Sequence, residues 1–245
     1  MSNERLRAAL LERGLTPAEL AEAIGVDPKS VERWITLGRT PYRRHRYAVG
    51  AHLGMEETYL WPKALSNEQS AAASESEIVE IHAHRWAVPQ DTWQRLFESA
   101  EREIGILVYS GFFLADNPGV VKLLADKARA GVRVRVLLGD PDSAAVAQRG
   151  EDEGIGDSMA AKIRNVIVLY APLRAVEGTE FRLHGTVLYN SLYRADGQLL
   201  VNTHVYGAPA ANAPVFHLRK IPGGDMMNTY LESFEQVWSN ATPLD

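Results

Sequence analysis

No cysteine occurs among the 245 residues. That excludes disulfides, thiol nucleophiles and cysteine-ligated zinc, and a reducing cytoplasm is the compartment expected. Also missing is any apolar run of about 18 residues, the minimum for a membrane-spanning helix, so no membrane partner is expected. The opening stretch MSNERLRAALLERG mixes both charge signs with apolar residues at helical spacing, which does not suit a secretion signal. No phosphate-cradling glycine loop, dinucleotide fingerprint or nucleophile elbow is present, and no cofactor is expected. Positive charge is in deficit: 26 Lys and Arg stand against 31 Asp and Glu, a net charge of −5, which excludes a general nucleic-acid-binding coat. What remains is ordinary for a globular chain, 46% hydrophobic and 23% charged, and long enough for one large domain or two smaller ones.

The acidity is uneven. Between Pro28 and Arg46 the charged residues are Lys29, Arg33, Arg39, Arg43, Arg44 and Arg46 against Glu32 alone. Such a local excess is an electrostatic footprint for phosphate, with a solvated basic loop as the alternative. Local patterning favours the first. NERLRAALLERG places Leu6, Leu10 and Leu11 on one helical face and stops at Gly14. TPAELAEAIG opens with Thr16 as cap, Pro17 at the first helical position and Glu19 completing a capping box, with Leu20, Ala21 and Ile24 inward and Gly25 as terminator. VDPKSVERWITLG repeats the device with Asp27 and Pro28, and Val31, Trp34 and Ile35 form its apolar stripe. Two capped helices joined by a glycine turn, with small Ala21 allowing close approach, predict a helix-turn-helix. Lys29, Ser30 and Arg33 then point away from the core on the second helix, where a recognition helix reads the major groove.

This stretch, LTPAELAEAIGVDPKSVERWITLGRTP followed by RRHRYAVGAHLGMEETYLWP, resembles the phage-repressor (XRE-like) DNA-binding family, whose fourth and fifth helices the latter segment would supply. The resemblance implies an all-α helix-turn-helix domain over residues 1–63 that binds double-stranded DNA through Lys29, Ser30, Arg33, Arg39, Thr40, Arg43 and Arg44. The alternative is a helical adaptor that uses the same scaffold for protein contacts.

Residues 64–76 lie in a Ser-, Ala- and Glu-rich stretch without an apolar stripe and read as a linker. From residue 77 to 245 strands and helices alternate, predicting an α/β layered domain. EIVEIHAH, IGILVYS and VRVRVLLG read as strands, with DTWQRLFESAER and PGVVKLLADKARAG as helices between them. SMAAKIRNVIVLYAPL reads as a longer helix, and TEFRLHGTVLYNSLYR and QLLVNTHVYG as a hairpin around Asp196-Gly197. APVFHLRK reads as a last strand and DMMNTYLESFEQVWSNA as a closing helix.

ILVYSGFFLADNPGVVKLLADKARAGVRVRVLLGD resembles the strand-helix-strand lead-in of the phospholipase D superfamily, and His184 to His204 fall where that family carries HxKxxxxD and a following Gly-Ser-x-Asn-like strand. In the family one histidine attacks phosphorus, a second protonates the leaving oxygen, lysine and asparagine hold the phosphate, and two motif copies meet. Carried onto this chain, the histidine is His184, the lysine position holds Thr186, the aspartate position holds Ser191, and VNTHVYG offers Asn202 and His204. A neutral hydroxyl cannot supply the lysine's charge to phosphoryl oxygens, and the histidine lacks its carboxylate orienter. The resemblance therefore implies a degenerate phospholipase D-like domain without catalytic residues, which dimerises because each chain brings one motif.

Strand alternation would put His184, Thr186 and Asn190 on one face, and Asn202 and His204 on one face of the returning strand, forming a pocket for a polar or phosphate-bearing small molecule. The alternative is that the histidines are structural. His82 and His84 share a spacing that suits a metal, but no convincing third ligand accompanies them among His184, His204 and Asp140, and no metal is expected. GDPDS reads as a pocket-lining loop or a plain turn, and PGGD as a helix start with Asp225 near the cap. The expectation is a cytoplasmic, homodimeric transcriptional regulator. Two rivals stay open: a phosphodiesterase or nuclease targeted by its DNA-binding arm, and a DNA-tethered protein scaffold.

Overall fold

The structure is a computed structural model, and it describes residues 2–62, 77–221 and 224–244. The expected linker, 64–76, lies outside the described residues. The chain forms two compact units, residues 1–77 with 220–228, and residues 78–219 with 229–245.

In the first unit the helices are α1 (Glu4–Glu12), α2 (Pro17–Ile24), α3 (Pro28–Thr36), α4 (Arg43–Leu53) and the short α5 (Glu57–Leu60). Each start is written locally. Asn3 accepts from the Leu6 amide, Thr16 and Glu19 form a reciprocal capping box, and Asp27 accepts from the Lys29 amide. Gly25 ends α2 at φ 68°, a left-handed conformation that would strain any side chain. Leu6, Leu20, Val31, Trp34, Val49 and Leu53 meet in one core, and Trp34 packs edge-on against Trp61 with centroids 6.2 Å apart. One expectation is corrected: Leu11 is 76% exposed, because the inward stripe of α1 runs Leu6–Ala9–Leu10.

The second unit is mixed α/β, built on an eight-stranded sheet. Its strands are β1 (Ile78–His82), β2 (Glu103–Leu107), β3 (Arg133–Gly139), β4 (Thr179–His184), β5 (Asn190–Ala195), β6 (Gln198–Thr203), β7 (Val215–Arg219) and β8 (Thr242–Pro243), in the order β1-β7-β6-β5-β2-β3-β4-β8. β2, β3 and β4 are mutually parallel, and the remaining pairings are antiparallel. Continuous burial in β2 and β3, apolar except for Arg135, fits strands covered on both faces. A 3-10 turn (Arg85–Ala87) follows β1. The helices are α6 (Gln90–Glu98), α7 (Phe112–Ala115), α8 (Pro118–Arg129), α9 (Ala144–Asp152), α10 (Ser158–Leu169), α11 (Ala171–Arg174) and α12 (Met226–Asn240). The single long helix expected over 158–173 is two, α10 and α11, with Pro172 in the first turn of the second.

Two local devices position the sheet. Asp196, at φ 45° in the β5–β6 turn, accepts backbone N–H groups from Glu101 (2.7 Å), Arg102 (3.2 Å) and Glu103 (2.8 Å), fixing the start of β2. Partial burial raises its pKa, but those three donors outweigh it and hold the carboxyl below its ordinary value. On β3, Arg135 is 4% exposed. It donates to Glu103 and Glu235, the latter at 2.7 Å, and stacks on Phe234 and Trp238 at 4.9 and 5.0 Å. This latches α12 to the sheet.

α12 starts where expected, with Asp225 directly before Met226. Buried Glu77, not Asp225, accepts the amides of Met226 and Met227, each at 2.9 Å. It satisfies two orphan helix donors and places negative charge at the positive end of the dipole.

Candidate functional site

Two features carry chemistry, one in each unit. In the first, α3 turns Val31, Trp34 and Ile35 into the core and leaves Lys29 and Arg33 exposed, with Ser30 half-buried between them. Arg39 and Thr40 are exposed in the following turn, and Arg44 is exposed at the start of α4. No carboxylate pairs with Lys29, Arg33, Arg39 or Arg44 among the described residues; Arg44 touches only the neighbouring His45, at 3.1 Å. The Arg43 side chain lies outside the described residues. Arg46, part of the same basic run, is spent internally: it donates to the Pro41 carbonyl at 2.9 Å and lies 3.4 Å from Glu57. Sequence reasoning missed Tyr42, 81% exposed between Thr40 and Arg43. An outward phenol beside arginines is a further hydrogen-bond donor suited to phosphate. Its signal was an aromatic residue in a basic turn with no apolar stripe to join.

In the second unit, β4 and β5 are not one strand. β4 stops at His184, residues 185–188 have no regular structure, and β5 begins at Asn190 on the far side of β2 and β3. Alternation therefore does not run from His184 to Asn190, and the expected five-residue pocket is dispersed. Thr186 is exposed beyond the strand end. It lines, with Asn190, Leu107 and Ser233, a cleft of about 230 Å³. His204 lines a different cleft of about 240 Å³, with Tyr109, Arg149 and Tyr206. His184 and Asn202 line neither.

His184 is 2% exposed. Its Nδ1 lies 3.3 Å from the Thr186 amide and so accepts, which leaves Nε2 to donate to the Val108 carbonyl at 3.1 Å. Burial pushes its pKa below the ordinary value, against the two hydrogen bonds and nearby Asp140. Both ring nitrogens hydrogen-bond the backbone.

His204 is held the opposite way round. Its Nδ1 donates to the Leu188 carbonyl at 3.1 Å, so Nε2 accepts from the Ser191 hydroxyl at 3.0 Å. Ser191, at the aspartate position of the resembled motif, thus orients a histidine across the hairpin, through its register with Asn202. Burial first, then the Arg149 and Arg85 charges, push His204 down to about 4. The Tyr109 ring lies between the two histidines, with centroids 5.9 Å from His184 and 5.7 Å from His204. Its hydroxyl accepts the Leu188 amide at 2.9 Å. Asn202, fully buried, spends its amide on the Ala213 and Pro214 carbonyls at 3.3 and 3.2 Å. The cluster is a set of neutral groups hydrogen-bonded within the protein, except for the Asn202 side-chain oxygen, which is buried without a partner, and Ser191 is 3% exposed.

The other motifs resolve as structure. The loop after β3 is a turn in which Asp140 accepts the Asp142 amide at 3.0 Å and Ser143 caps α9. His82 is buried at the end of β1, and His84, past it, hydrogen-bonds the Asn212 carbonyl at 2.8 Å. No group of three His, Asp or Glu among the described residues stands close enough to hold a metal. No helix among them is long and apolar enough to cross a membrane.

No family model matches the chain, and no curated protein is similar to it. Among solved structures, the chain is similar to a phospholipase D family member, Nuc from Salmonella typhimurium, at 17% identity over 63% of this chain and 90% of that one, with a TM-score of 0.38. It is also similar to TrmBL2, an archaeal chromatin protein described with a novel mode of DNA binding, at 18% identity over 99% of this chain and 93% of that one, with a TM-score of 0.44.

Proposed function

We propose that the chain is a DNA-binding regulator in which α2 and α3 dock on duplex DNA and the sheet unit is a non-catalytic, phospholipase D-like dimerisation domain. The observation that carries the DNA reading is the set of exposed, acid-free cations Lys29, Arg33, Arg39 and Arg44 in an otherwise acidic chain. Each can replace a counterion on a phosphate, and Arg33, on the outward face of α3, is the residue placed to reach a base edge. Pairing of two chains sets two recognition helices about one duplex turn apart and multiplies weak single-arm affinities.

The non-catalytic reading is supported by His184, whose ring nitrogens both serve the backbone, and by Thr186 in place of a cationic clamp. Without that clamp a phosphoryl transition state loses several kcal/mol, each 1.36 being about tenfold in rate. Sequencing of sheared genomic fragments retained by the purified protein tests the DNA reading. Recovery of a recurrent two-fold symmetric site supports it, and retention no better than for an acidic control protein refutes it. Light scattering on the full chain at micromolar concentration tests pairing. Turnover of a chromogenic phosphodiester or single-stranded DNA that disappears in His184→Ala would favour the nuclease alternative.

A further inference from the structure

A groove of about 460 Å³ is lined by α6, α7, the start of α8 and the 3-10 turn. That volume is in the range of small-molecule sites. Its walls are aromatic. Trp93 packs edge-on against Phe113 at 4.9 Å and against buried Tyr193 at 4.9 Å. Trp86 is 68% exposed, yet it is held in place: it stacks on His84 at 5.2 Å, and His84 is itself fixed by the Asn212 carbonyl. An exposed indole pinned at the mouth of an aromatic groove offers a stacking face already in position.

The charge at that end comes from Arg85. Its guanidinium lies over the Phe113 ring at 4.2 Å and next to the buried Tyr193 hydroxyl, and no carboxylate pairs with it among the described residues. Arg135, Arg149 and Arg194, also in this unit, each have an acid partner. Asn117 also lines the groove. Its Oδ1 is spent on the Gly119 and Val120 amides, which leaves its amide nitrogen as a donor at the wall.

The one acid of the lining, Glu98, is at the other end. It terminates α6, eight positions beyond Gln90, or about 12 Å at 1.5 Å per residue. It already accepts the Gln94 amide at 2.6 Å. A cationic ligand stacked on the rings would sit beside Arg85, whereas an anion would neutralise it.

We propose that this groove binds a small planar aromatic acid, with the carboxylate on Arg85 and Asn117 and the ring against Trp86, Trp93 and Phe113. None of the groove's lining residues belongs to the His184–His204 cluster, although the Arg85 charge reaches His204, and the proposal does not depend on the DNA-binding reading.

Calorimetry on the full chain with indole-3-carboxylate, and with indole-3-carboxamide as its uncharged counterpart, tests it. The acid is expected to bind with a Kd below about 1 mM and at least roughly tenfold more tightly than the amide, about 1.4 kcal/mol. Arg85→Gln should abolish the preference for the acid, and Arg85→Lys should retain part of it. Trp86→Ala, a change at an exposed side chain that leaves the fold intact, should weaken both compounds by roughly fivefold while keeping the preference. No saturation by the acid, equal binding of acid and amide to the wild type, or unchanged affinity in Trp86→Ala would each overturn the proposal. So would a preference that survives Arg85→Gln. If Arg85→Gln does not fold, the wild-type preference and the Trp86→Ala result decide.

Discussion

Acidification should weaken the sheet unit through His204, and the size of the effect follows from its surroundings. The imidazole sits under the Tyr109 ring, gives its Nδ1 proton to Leu188 and takes the Ser191 proton at Nε2. Protonation of Nε2 would put a charge in a buried site and near Arg149 and Arg85, so the folded-state pKa falls to about 4 from an ordinary 6.5. Between those values the unfolded chain binds a proton that the folded chain does not. The His204 contribution to stability is therefore complete above about 6.5, declines as pH falls through the window, and is lost in full below about 4. At about 1.36 kcal/mol per unit the loss is about 3 kcal/mol, a large fraction of a typical domain's stability. His204→Gln keeps a donor for Leu188 and an acceptor for Ser191 but cannot titrate. Urea melts of both proteins at pH 7 and pH 4 isolate the effect, because His184 and His217, also pushed down by burial, cancel in the difference. Direct observation of the imidazole nitrogens by NMR supplies the titration itself. Equal losses in wild type and variant, or a His204 that titrates near 6.5, would refute the reasoning.

Arg33→Ala should cost operator binding roughly 1–3 kcal/mol and relax sequence preference, while Arg44→Ala should lower the salt slope by about 0.9 without changing preference; anisotropy titrations at several salt concentrations separate the two. Arg135→Ala leaves Glu103 and Glu235 without their shared cation and should destabilise the sheet unit by about 3 kcal/mol in urea melts, whereas a loss below about 1 would show the latch to be idle. Asp196→Ala removes the acceptor for three backbone amides and should cost about 1–2 kcal/mol, with faster hydrogen exchange at Glu101–Glu103 as its local signature.

What the sequence alone determined is what short-range chemistry decides. Thr16 with Glu19, Asp27 before Pro28, and Gly25 after α2 are caps closed within four residues, so the boundaries of α2 and α3 and the outward direction of Lys29 and Arg33 were legible before any packing was known. The Asp196-Gly197 turn and the buried runs of β2 and β3 belong to the same class, because a left-handed turn and a covered strand each leave a local compositional mark. Tertiary structure decided the rest. Nothing in LHGTVLYNS marks that the chain leaves β4 at His184 and rejoins the sheet beyond β3 and β2, since strand order depends on which edges find partners far along the chain. Glu77 caps a helix that starts 149 residues later, and His184 hydrogen-bonds the carbonyl of Val108, 76 positions before it. Arg85 gave no sign of being acid-free in an aromatic groove. A side chain's charge is written in the sequence, but whether a counter-charge comes within reach is settled only when distant elements pack.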